Sequence, residues 1–137
     1  MLTDLDPAAL VDNPAEMVGT ISRDLLACLH EGRPPLPSET TVAFQYGALC
    51  ASHGTPVEEA VGFLGTMLGE QIDVYARLIW AAPGAADRFA DEADVRGFLR
   101  DLWGSRLAVA VEDYCDMATA GYRSQTLAAL MRFAGTA

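Results

Sequence analysis

The stretch His53-Gly54-Thr55-Pro56-Val57-Glu58-Glu59 stops one helix and starts another. Gly54 suits the left-handed conformation that ends a helix, Thr55 is a cap for the next one, Pro56 fits a first turn, and Glu58 completes a capping box with Thr55. Beyond this junction Val57, Val61, Leu64, Leu68, Ile72, Tyr75 and Ile79 recur at helical spacing, and Phe63, Met67, Val74 and Leu78 widen the stripe. The spacing predicts one long helix over 56–81, apolar enough to meet neighbours on more than one side. Gly62, Gly65 and Gly69 add a ridge of small residues to it. Each glycine costs a helix about 1 kcal/mol relative to alanine, and close approach of another helix along the ridge is the expected compensation.

Upstream, Asn13 caps a helix that opens with Pro14 and carries Glu16 at its third position. Val18, Ile21, Leu25, Cys28 and Leu29 share one face of it, and Gly32 ends it, which gives a first long helix over 14–31. Arg33-Pro34-Pro35-Leu36-Pro37 is a stiff, non-helical connector, because its prolines remove donors and force extended geometry. Ser38 and Glu39 open a second helix in which Val42, Tyr46, Leu49, Cys50 and His53 share a side. Residues 1–13, with a short capped turn at Asp6-Pro7, read as a lid across the body.

Downstream, Pro83-Gly84 breaks the chain and residues 85–92 form a loop or short turn. A final helix runs from about Asp94 to at least Ala120, with Val95, Phe98, Leu102, Leu107, Ala110, Tyr114 and Met117 inward. Glu92 with Arg96, and Asp73 with Arg77, have the spacing of helical ion pairs. Past Gly121 a weaker periodicity continues, and residues 122–137 read as a dimer seam or signalling extension whose contacts are Tyr122, Leu127, Leu130 and Met131. There is no strand pattern, repeat or second domain. The expected fold is a single all-α domain over 1–137, a globin-like or orthogonal helical bundle of four to six helices with a long C-terminal helix.

Composition narrows the function. Hydrophobic residues make up 51% of the 137 and charged residues 20%, which suits a core with apolar surface to spare. The net charge is −10, and its excess of acids lies mostly in residues 1–70. Such a surface repels phosphate backbones and anionic lipid, so neither nucleic acid nor membrane is an expected partner. Three cysteines without a CxxC pair leave one over in any disulfide scheme, and the acidic N-terminus lacks the basic region of a signal peptide, so the expected location is cytoplasmic.

No stretch spells out a reaction. Serines lack a GxSxG setting, and there is no phosphate loop, dinucleotide fingerprint or Glu-x-x-His pair for a di-iron site. Cys28-x-His30 and Cys50-x-x-His53 are poorly spaced for zinc, and no metal or cofactor is expected. His53 is better placed at a helix C-terminus, where its donors meet free carbonyls. A pocket, if built, is expected between the second, third and last helices near Tyr46, Cys50, Met67, Tyr75 and Tyr114.

Gln45-Tyr46-Gly47, then His53-Gly54-Thr55-Pro56-Val57-Glu58-Glu59 and the apolar helix, resemble the N-terminal sensor domains of RsbRD-type stressosome co-antagonists. Similar domains precede the DNA-binding part of some PucR-like regulators. The resemblance covers roughly residues 14–122 and implies a non-haem, globin-like helical domain that dimerises and passes a signal to an output domain. The function expected on these grounds is a non-catalytic, dimeric sensor that binds a signalling protein or a small apolar ligand. Its alternatives are a helical container or enzyme for a hydrophobic metabolite, and a haem-binding globin-like sensor.

Overall fold

The computed structural model describes residues 13–136; the lid expected over 1–13 lies outside them apart from Asn13. Asn13 does cap α1 (Pro14–Glu31), its Oδ1 accepting from the Glu16 N–H at 3.2 Å. Proline at the first helical position costs nothing there, since its missing donor is one that no carbonyl would have met. Pro37 opens α2 (Pro37–Ser52) in the same way, and the Glu39 carboxylate reaches back to the Leu36 N–H at 2.8 Å.

The junction over residues 53–57 forms with different chemistry from that expected. Gly54 takes φ 77°, the Gly54 N–H bonds to Ala51 O at 3.1 Å, and the Thr55 N–H bonds to Cys50 O at 3.0 Å. These two bonds close the end of α2 as a Schellman motif. Thr55 is thereby committed to ending α2, and α3 (Val57–Gly69) starts from Pro56 without a side-chain cap, so the Thr55–Glu58 box does not form.

The helix expected over 56–81 is two, α3 and α4 (Gln71–Ala81), joined at Glu70. The break is shallow, because Glu70 N–H still bonds to Thr66 O and Val74 N–H to Glu70 O, each at 3.1 Å. The Gln71 side chain donates to Met67 O at 3.1 Å, which satisfies a carbonyl freed at the kink. A 3₁₀ turn (Ala85–Asp87) follows, and then α5 (Glu92–Thr136) runs unbroken through Gly121 for 45 residues, on the order of 67 Å at 1.5 Å per residue.

The structure is all-α, with no strand among the described residues, and α5 is its spine. α3 and α4 lie antiparallel along it: the Cys115 thiol points at Val61 O, Tyr75 stacks near Trp103, and Asp73 pairs with Arg100 at 3.3 Å and Arg96 at 3.8 Å. Arg96 also takes its expected partner Glu92 at 2.8 Å, whereas Asp73 turns to α5 instead of Arg77. The core gathers Ile21, Leu25 and Leu29 of α1, Leu64 and Leu68 of α3, and Val95, Leu99 and Tyr114 of α5. Leu99 and Trp103 therefore point inward where Phe98 and Leu102 were expected to; those two stay half exposed.

The closest approach of two helices lies away from the predicted ridge. A Cβ on Gly62 or Gly69 would meet nothing within 4 Å, and one on Gly65 only the Cys115 sulfur at 3.5 Å. At Gly47 it would lie 1.8 Å from Ala118 O, and at Gly121 it would lie 1.9 Å from Phe44 O. α2 and α5 thus cross backbone on backbone through a reciprocal pair of glycines, the arrangement that brings Cα–H groups onto facing carbonyls. Gly62 and Gly69 of that ridge face outward within this chain, as do Phe63, Val74 and Leu78, so α3–α4 buries one face rather than two.

Candidate functional site

The five residues expected to share a pocket are distributed over separate neighbourhoods. Tyr46 is buried between α2 and α3 and donates to Ala60 O at 2.7 Å, with Cys50 buried beside it. Burial pushes both the Tyr46 phenol and the Cys50 thiol up, so each stays protonated at neutral pH. Tyr75 lies across the molecule, its hydroxyl 2.9 Å from His30 Nε2, where both rings also meet Trp103 with centroids 5.1 and 5.4 Å away. Met67 packs on the edge of the core. Tyr114 is fully enclosed, and its hydroxyl makes no well-formed hydrogen bond. No groove described below has any of the five in its wall.

Tyr114 faces a polar cluster that the sequence pattern did not single out. Arg33, on the proline-rich connector, grips Glu39 with two donors at 2.8 and 3.1 Å, and one of them also reaches the Cys28 sulfur at 3.3 Å. This bidentate pair holds the Glu39 carboxyl below the usual carboxylate range. Burial, and then the neighbouring Glu39 charge, push the Cys28 thiol up. Burial likewise raises the Asp24 carboxyl. A thiol so placed stays protonated at neutral pH. The usable signal was Arg33 six residues before Glu39, hidden because the intervening prolines read only as a connector.

Three surface grooves adjoin these elements. One of about 460 Å³ runs between α1 and α2 past Met17, Arg23, Val42 and Gln45. A second, about 310 Å³, lies between the connector and α5, with Leu29, Pro35, Val109 and Ala110 among its walls. The third, also about 310 Å³, follows the far end of α5 past Val57, Tyr122, Thr126 and Leu127.

That far end is where apolar surface is left open. Tyr122 is anchored within its own chain, donating to Thr55 O at 2.6 Å, and so serves as the root of the extension rather than as part of its open surface. Beyond it Leu127, Leu130 and Met131 are 60%, 61% and 66% exposed. Phe98, Leu102 and Val109 are more than half exposed higher on the same helix. The buried apolar residues of α5 stop at Ala118, so its last turns extend past the packed body. No helix among the described residues is long and apolar enough to cross a membrane. No family model, curated protein or solved structure matches the chain.

Proposed function

We propose that this chain is a non-catalytic, cytoplasmic sensor or interaction domain that works as a homodimer and relays a signal to a protein partner. One observation carries the reading: α5 continues from Tyr122 to Thr136 with Leu127, Leu130 and Met131 turned to solvent. Apolar area held in water forgoes about 25 cal/mol per Å², and a second molecule laid against the helix recovers it. The resemblance of residues 14–122 to RsbRD-type sensor domains supports signalling as the purpose of the pairing. A small apolar ligand fits as input at the α1–α2 groove, whose volume of about 460 Å³ lies in the range of small-molecule sites.

Sedimentation equilibrium tests the dimer directly. The full chain is expected to sediment as a dimer at micromolar concentration, and Leu127→Asp with Leu130→Asp to return it to a monomer of unchanged helical content. A wild-type chain that stays monomeric at millimolar concentration refutes the reading.

A further inference from the structure

The outer face of α5 carries a second regularity. From Val109 a row with steps of three and four runs through Glu112, Asp116, Ala120, Arg123 and Leu127. At 100° per residue these six fall within about 80° of arc, on the side away from Tyr114, Ala118 and Gly121. All six are exposed. Glu112, Asp116 and Arg123 have no ion-pair partner among the described residues.

The order along the row is apolar, acid, acid, small, base, apolar. Two copies packed in parallel would set Glu112 on Glu112, Asp116 on Asp116 and Arg123 on Arg123. Packed antiparallel about a two-fold axis near residue 118, they set Val109 against Leu127, Glu112 against Arg123 and Asp116 against Ala120, each contact occurring twice. Opposite charges then face each other at Glu112 and Arg123, and the two Asp116 carboxylates are staggered by about 6 Å along the helices instead of directly opposed. Charge placement of this kind is what fixes helix orientation in paired helices. The groove walled by Leu29, Pro35 and Ala110 opens beside Val109, where an aliphatic side chain from the facing helix has somewhere to go.

We propose that a second copy of this chain packs antiparallel against the outer face of α5, with its Leu127 seated in the Val109 groove and its Arg123 on Glu112. This rests on the homodimer reading and adds the surface and the orientation to it. The partner is thereby a chain of the same sequence, because the row is complementary to its own reverse.

Cysteine pairing in the full-length protein separates the two claims. Val109→Cys and Leu127→Cys are made as separate variants at exposed positions, with circular dichroism and sedimentation confirming that each still folds and associates. On mild oxidation each alone is expected to give no more cross-linked dimer than wild type, and an equimolar mixture to give a 109–127 disulfide. Arg123→Glu is expected to raise the dimer Kd roughly tenfold by turning two attractive pairs repulsive, and adding Glu112→Arg to restore it. Self-linking of Val109→Cys, or a dimer that forms no disulfide from either variant or the mixture, overturns the orientation while leaving the dimer standing. A monomeric wild type overturns both.

Discussion

Replacing Gly47 with alanine adds one methyl group where α2 and α5 touch main chain to main chain. The new carbon would sit 1.8 Å from Ala118 O and 2.7 Å from Ala118 C. Carbon and oxygen settle near 3.3 Å, so the helices must part by roughly 1.5 Å at the crossing, and no rotamer change relieves it because the obstacle is backbone. Separation there also draws Gly121 off Phe44 O and loosens the Tyr46 and Leu49 contacts beneath. Overpacking a core costs about 1–3 kcal/mol when side chains can yield. Here they cannot, and the gain of about 1 kcal/mol that alanine brings to a helix offsets only part of the loss. The expected net destabilisation of Gly47→Ala is about 3 kcal/mol, a large share of the 5–15 kcal/mol typical of a domain. Urea denaturation followed by circular dichroism measures it, with Gly62→Ala as the control. Gly62 is exposed with nothing within 4 Å of the added carbon, so that variant is expected to be as stable as wild type or more stable by up to about 1 kcal/mol. Gly47→Ala with wild-type stability, or Gly62→Ala losing as much, would refute the placement of the crossing.

Two tyrosines are predicted to respond oppositely to loss of their hydroxyls. Tyr46→Phe removes a buried bond to Ala60 O and is expected to cost about 1–2 kcal/mol, whereas Tyr114→Phe deletes a buried hydroxyl with no good acceptor and is expected to be neutral or stabilising by about 1 kcal/mol in the same denaturation assay. Glu39 sets a pH dependence: its folded pKa lies below its unfolded one, so its pairing with Arg33 adds stability fully present above roughly pH 5 and lost as pH falls through the folded value. Arg33→Gln should therefore be less stable than wild type at pH 7, with the gap closing toward pH 3; a gap of constant size across that range would show that the ion pair is not its source.

Helix ends were legible wherever a local residue had one job. Asn13, Pro14 and Gly32 bound α1 at the positions their chemistry assigns, whereas Pro37, read as the last residue of the non-helical connector, opens α2 one residue before the expected Ser38, because a proline suits the first helical position. Thr55 had two jobs open to it, and the sequence could not rank them: closing α2 takes the Thr55 N–H that Glu58 would have met in a capping box. Periodicity found the inward stripe of α3 and α4 but overstated its width, because an apolar side chain on a helix looks the same whether its own chain or another molecule covers it. The small-residue ridge at Gly62, Gly65 and Gly69 drew attention by its spacing, while the working crossing joins Gly47 and Gly121, which lie on two helices far apart in the chain. Such a pairing has no local signature. The predicted pocket failed for a related reason: Tyr46, Tyr75 and Tyr114 are spread through one core, and each phenol faces a different neighbour.

The glycine crossing sits about two turns before α5 leaves the body, one residue before the Tyr122 hydroxyl grips Thr55 O. Those contacts act as a clamp on a cantilever. Past Ala128, its last half-buried position, the helix projects for roughly 12 Å at 1.5 Å per residue, so a tilt of about 10° there would carry its tip about 2 Å. Because the glycine crossing is main chain on main chain, its angle is set by backbone geometry, and the Tyr122 side chain adds one bond to a carbonyl that holds it. Substitutions elsewhere in the core can change how firmly the body holds together without changing where the arm points.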